Sequence, residues 1–114
     1  QLKSFKQFQS NGMNNRSHIN GQKVYSVSSD ACSLFVYDLE SGLANSVDVP
    51  GKSLQDVVIY NNKAYVLAFN RENGLYELLD EELNVVYQDQ EISELAASSE
   101  YLALVSGSNV ILFQ

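Results

Sequence analysis

The 114-residue chain has no tryptophan, one cysteine, one histidine and one proline. A lone Cys32 excludes an internal disulfide framework. One cysteine and one histidine fall well short of the ligand set of a structural zinc site, so no metal is expected. Bases are scarce, with 7 Lys and Arg against 14 Asp and Glu and a net charge of −7. Phosphate neutralisation needs clustered Lys and Arg, which argues against nucleic-acid binding. No apolar run approaches the ~20 residues of a membrane-spanning helix. Phosphate-binding glycine loops, dinucleotide fingerprints and the nucleophile elbow are absent as well, so neither a cofactor nor an enzymatic activity is expected.

What is present is short bursts of Val, Leu, Ile, Tyr and Phe. They include Lys23–Val27, Leu34–Leu39, Val57–Tyr60, Ala64–Phe69, Val85–Tyr87, Tyr101–Val105 and Val110–Phe113. Between them lie turn pairs such as Asn20-Gly21, Ser41-Gly42, Pro50-Gly51, Asn61-Asn62, Asn73-Gly74 and Ser106-Gly107. Residues of this kind supply the backbone conformations that tight hairpins need. Short β-prone bursts with turn signals every ~8–12 residues predict an all-β chain. Two stretches also fit a helix: Leu75, Leu78, Leu79 and Leu83, and the segment from Ile92 to Ala97. Neither is capped at both ends.

The bursts superpose on one another. Lys23-Val24-Tyr25 matches Lys63-Ala64-Tyr65 after 40 residues, and Leu34–Asp38 matches Leu75–Asp80 after about 41. A period of ~40 residues holding four strands is the signature of a β-propeller. The fold class is therefore all-β, built of antiparallel four-stranded blades, with a closed β-barrel or sandwich as the alternative. The chain divides into a first blade at 9–50, a second at 54–90 and an incomplete third at 91–114, with residues 1–8 as a possible closure strand. Three blades are too few for a ring, and the chain ends on an apolar strand. It therefore reads as part of a larger protein.

The segment Leu34-Phe35-Val36-Tyr37-Asp38-Leu39-Glu40-Ser41-Gly42 resembles the end of a WD40-type blade, with Tyr37 in the tryptophan place and Asp38 in the aspartate place. The family's Gly-His pair is missing. The resemblance implies divergent blades and, by analogy, an interaction scaffold within a multiprotein assembly.

Candidate functional residues are few. His18 lies in an Asn/Ser-rich stretch with no motif-placed partner, and Cys32 has no nearby base to activate it. Asp80-Glu81-Glu82 is the one run of adjacent acids, and it lacks the alternating spacing of a calcium loop. All seven bases fall at or before Arg71, whereas Glu72 to Gln114 hold nine acids and no base. Such one-sided charge steers a basic protein partner. Asp80, Glu81 and Glu82, with Arg71 and Glu72, are the expected partner-binding residues. Asp30, Arg71 and Glu72 are also the polar loop residues that an enzymatic or ligand-binding propeller would use at its channel. Asn15-Arg16-Ser17 matches a glycosylation acceptor, but the single unpaired cysteine favours an intracellular protein. The expectation is a non-catalytic interaction scaffold whose partners are other protein chains or the rest of the parent protein.

Overall fold

The computed structural model describes residues 2–10, 12, 13 and 16–114. Asn15 of the glycosylation pattern lies outside them. The described chain is all β, in three antiparallel meanders. The first sheet holds β1 (Arg16–Asn20), β2 (Lys23–Ser28), β3 (Ser33–Asp38) and β4 (Ala44–Asp48). The second holds β5 (Lys52–Tyr60), β6 (Lys63–Asn70), β7 (Tyr76–Leu79) and β8 (Val85–Asp89). The third holds β9 (Glu94–Ala97), β10 (Leu102–Ser106) and β11 (Asn109–Phe113). The sheets do not join into a barrel.

Turn chemistry accounts for the meanders. Asn61 and Asn62 both take positive φ, at 53° and 63°, as a two-residue primed hairpin turn requires. Gly21 and Gly107, each at φ 60°, lead the equivalent turns of the other sheets. A second turn type recurs at 38–43 and 70–75. Asp38 Oδ1 accepts the Glu40 N–H at 2.9 Å, and Asn70 Oδ1 accepts the Glu72 N–H at 2.9 Å. The loops close through Asp38 N–H to Leu43 O at 2.9 Å and Asn70 N–H to Leu75 O at 2.8 Å. Short polar side chains that bond their own backbone favour such turns over helix or ladder.

The sheets stack face to face and enclose two cores. Tyr25, Val27 and Leu34 of the first sheet meet Leu54, Val57, Val66 and Leu79 of the second. Val58, Leu67 and Leu78 on the opposite face meet Leu95, Leu102 and Leu104 of the third, together with Ile92 just before β9. A β-bulge at Leu54/Asp56 shifts the alternation, so Leu54 and Val57 share a face although three residues apart. The first strands of the sheets lie side by side, with β1 against β5 and β5 against β9. The last strands, β4 and β8, are not packed on each other in this way, and β4 is exposed along its length, so the sheets fan outward.

The leucine spacing of 75–83 and the segment 92–97 form strands and turns, not helices. The middle sheet is packed on both faces, and consecutive apolar residues pointing to opposite sides mimic helical spacing. Residues 2–10 form no strand beside β11. Instead Phe8 stacks on Tyr37, with ring centroids 4.0 Å apart, on the outward face of the first sheet. Alternation within the bursts predicts a one-sided buried face of Val24, Val27, Leu34, Val36, Val57, Ile59, Ala64, Val66, Ala68, Leu102, Leu104, Ile111 and Phe113. Of these, Val27, Leu34, Val57, Ala64, Val66, Ala68, Leu102 and Leu104 are buried. Val24, Val36, Ile59, Ile111 and Phe113 are half-buried. One-sided alternation overlooked the second face: Val58, Leu67, Leu78, Ile92 and Leu95 are core too.

Val66 is fully buried between the first and second sheets. Val66→Asp places an unpaired carboxylate there and is expected to cost more than ~4 kcal/mol. Urea unfolding followed by circular dichroism checks this, and a midpoint equal to that of the parent chain would sink the core assignment.

Candidate functional site

The outward fan opens a groove of 470 Å³ between the first and second sheets. Its wall on the first sheet is Leu34, Val36, Ala44 and Val47, and Glu81 and Leu83 of the 80–84 turn form the facing rim. Leu43 and Val47 are apolar yet exposed, at 71% and 37%.

The 80–84 turn is built like its two relatives but is one residue shorter. Asp80 Oδ1 accepts the N–H groups of Glu82 and Asn84 at 3.1 and 2.9 Å, and Asp80 N–H closes the loop on Asn84 O at 2.9 Å. Shortening places Leu83, at φ 68°, where Gly42 and Gly74 stand in the longer turns. A left-handed leucine costs roughly 1–2 kcal/mol. Its side chain offsets this strain by packing on the edge of the first core. The strained residue thus forms part of the groove's facing rim.

Glu81 bridges the sheets. Tyr25 on β2 donates its hydroxyl to Glu81 Oε1 at 3.1 Å. Burial, reinforced by the Glu81 hydrogen bond and charge, pushes the Tyr25 phenol up from 10.0 to about 12. The rim is acidic, with Asp38 and Glu81 lining it and Lys23 as the facing base. Glu82 is exposed on the same turn.

The five expected partner-binding residues fall into two groups. Asp80, Glu81 and Glu82 follow β7, whereas Arg71 and Glu72 precede it, at the opposite end of the sheet. Arg71 donates from Nη2 to the Ser29 carbonyl at 3.1 Å, tying the second sheet to the first. Nearby, Asp30 accepts from the Ser28 hydroxyl and from the Met13 N–H at 3.2 Å, and the Ser28 bond foremost holds its carboxyl below the usual range. Gly12 lies against this knot: a Cβ there would come within 2.8 Å of Ala31 Cβ and 2.5 Å of Ser28 Oγ. At the same end Lys52 Nζ lies 2.7 Å from Oε1 of buried Glu77, and Asn70 Nδ2 donates to Oε2 at 3.0 Å. The ion pair satisfies Oε1, which accepts no aligned hydrogen bond. Arg71 and Asp30 are thus held in links that fasten neighbouring sheets and loops.

His18 is exposed on β1, which is an edge strand. Cys32 is half-buried at φ 50°, and its carbonyl accepts the Val49 N–H at 2.7 Å. Sequence reasoning missed the groove itself, because its walls lie about 40 residues apart along the chain. Leu83 in the glycine position of a shortened turn was the available signal.

No protein-family description and no curated protein matches the chain. Among solved structures it is similar to Hsv2 of Kluyveromyces lactis, a β-propeller protein, at 13% identity and TM-score 0.58. That alignment covers 92% of this chain and 33% of Hsv2. A version of the same protein with loop 6CD replaced by a Gly-Ser linker aligns at 12% identity and TM-score 0.58, covering 92% and 36%. The computationally designed Ika4 protein aligns at 11% identity and TM-score 0.51, over 92% of both chains. The chain spans about a third of the length of Hsv2. At these identities the likeness concerns fold alone: the chain is a partial β-propeller.

Tyr25 carries a pH prediction. Its folded pKa is raised, so the neutral phenol stabilises the fold fully below pH 10 and that contribution is lost as pH rises through about 12. The urea midpoint of the parent chain should therefore fall more steeply between these limits than that of Tyr25→Phe. Parallel slopes would show that the buried hydroxyl is not the titrating group.

Proposed function

We propose that the chain is a non-catalytic interaction scaffold, a propeller portion of an intracellular subunit, whose groove between the first and second sheets receives a basic, apolar segment of a protein partner. The observation that carries this reading is the pairing of exposed apolar Leu43 and Val47 with the acidic rim of Asp38 and Glu81, beside which Glu82 is exposed on the same turn. Apolar side chains leave water against the first, and Lys or Arg at the rim meets the second. The groove is preformed, because Asp80 fixes the turn and Tyr25 holds Glu81 in place. Limited rearrangement on binding preserves affinity. Divergent WD-type repeats fit this role. Asp38 of the Tyr37-Asp38 pair caps the turn that leads from the third to the fourth strand of its sheet, beside the groove.

The test is fluorescence anisotropy with a labelled peptide alternating Leu and Arg. Binding should weaken as salt rises. Glu81→Lys combined with Glu82→Lys should weaken it by about tenfold or more. Glu72→Lys, at the far end of β7, should leave it within about twofold, the scale of an exposed charge distant from the contact. Equal losses from both changes would mean that the peptide responds to overall charge, and the groove assignment would fail.

A further inference from the structure

The two ends of the sheet array differ. The outward face of the first sheet is covered: Phe8 stacks on Tyr37, Lys6 Nζ stands 5.8 Å from the same ring centroid, and Phe35 and Tyr37 are buried. Among the described residues, nothing stacks on the outward face of the third sheet, which is left bare. Strand register places Ala96, Ala103 and Leu112 together on it, with Glu94, Val105 and Val110 beside them. Val110 and Leu112 are 66% and 60% exposed. An edge strand with such a face is a template for association.

The charges of the two ends are complementary. The segment over the first sheet carries Lys3 and Lys6 and presents Leu2 and Phe5 fully or largely to solvent. The third sheet carries Glu94 on its bare face and Glu100 and Glu91 nearby, and no base occurs after Arg71. We propose that the bare face of the third sheet docks a second copy of this chain, which presents its N-terminal segment, Leu2 and Phe5 against Val110 and Leu112 and Lys3 towards Glu94. The contact is head to tail, so two copies that close on each other bury both bare faces. With three sheets in each copy, the closed pair has six, within the ~4–8 blades of known propellers. This surface is separate from the groove between the first and second sheets.

Light scattering of the 114-residue chain over a concentration series at low salt tests the proposal. The mass should rise from one chain to two. Leu112→Lys, or Val110→Glu if the first variant loses its circular dichroism signal, should weaken association by about tenfold or more. Lys3→Glu alone and Glu94→Lys alone should each weaken it, and mixing the two should restore it, since each then meets its opposite charge at both contacts. Glu81→Lys, in the groove, should leave association unchanged, which separates this surface from the peptide site. A chain that stays monomeric at every concentration overturns the proposal. So does association that Leu112→Lys leaves intact, or a mixture of the charge variants that fails to recover.

Discussion

A single four-stranded meander has two faces and can bury neither against itself. Every sheet here therefore depends on a neighbour, and the middle one depends on two. Leu79, Val66 and Val57 face the first sheet, while Leu78, Leu67 and Val58 face the third. Each of those adjacent pairs sends one side chain into each core, so the middle sheet is apolar on both faces at these positions, with Glu77 of β7 a buried charge between them and the Lys52 end. Burial at ~25 cal/mol per Å² of apolar surface makes these two interfaces the dominant favourable contribution. The polar contacts act mainly on orientation.

Those polar contacts lie at the two ends of the stack. Asn20 Nδ2 donates to Asn62 O at 3.2 Å, and Tyr25 reaches Glu81, at the end where the groove opens. At the other, Arg71 holds Ser29 O, and Ser106 donates to Asp89 at 2.9 Å across the second and third sheets. The Ser106 bond foremost keeps the Asp89 carboxyl below its usual range, while burial and Asp89 raise the Tyr87 phenol. Because such bonds are directional, they fix the angle between sheets that apolar packing alone leaves loose. The angle in turn sets the width of the groove on which the proposed function rests.

Much of this architecture was legible in the residues. The strand positions follow the apolar bursts closely, and the hairpins fall on the Asn and Gly pairs. The parallel between Asp38-Leu39-Glu40-Ser41-Gly42-Leu43 and Asn70-Arg71-Glu72-Asn73-Gly74-Leu75 was available too, and marks one turn used twice. What stayed hidden depends on distant partners. Tyr25 and Glu81 are 56 residues apart, and no local pattern announces their bond. The one-sided burial rule failed at Val58 and Leu67 because it assumes a sheet with one wet face. Residues 2–8 have the length of a strand, but Phe8 finds an aromatic face to cover in Phe35 and Tyr37, with the latter ring tilted only 5° from its own.

The meander has a kinetic consequence. Every strand pairs only with its neighbours in sequence, through connections of a few residues. Loop-closure entropy is therefore small for each hairpin, and the ladders can form quickly and locally. The slow step is docking one sheet on the next. An array whose units touch only their neighbours accumulates stability interface by interface. Fraying then starts at an outer sheet, while the middle sheet, locked on both sides, is the last to exchange its amide protons.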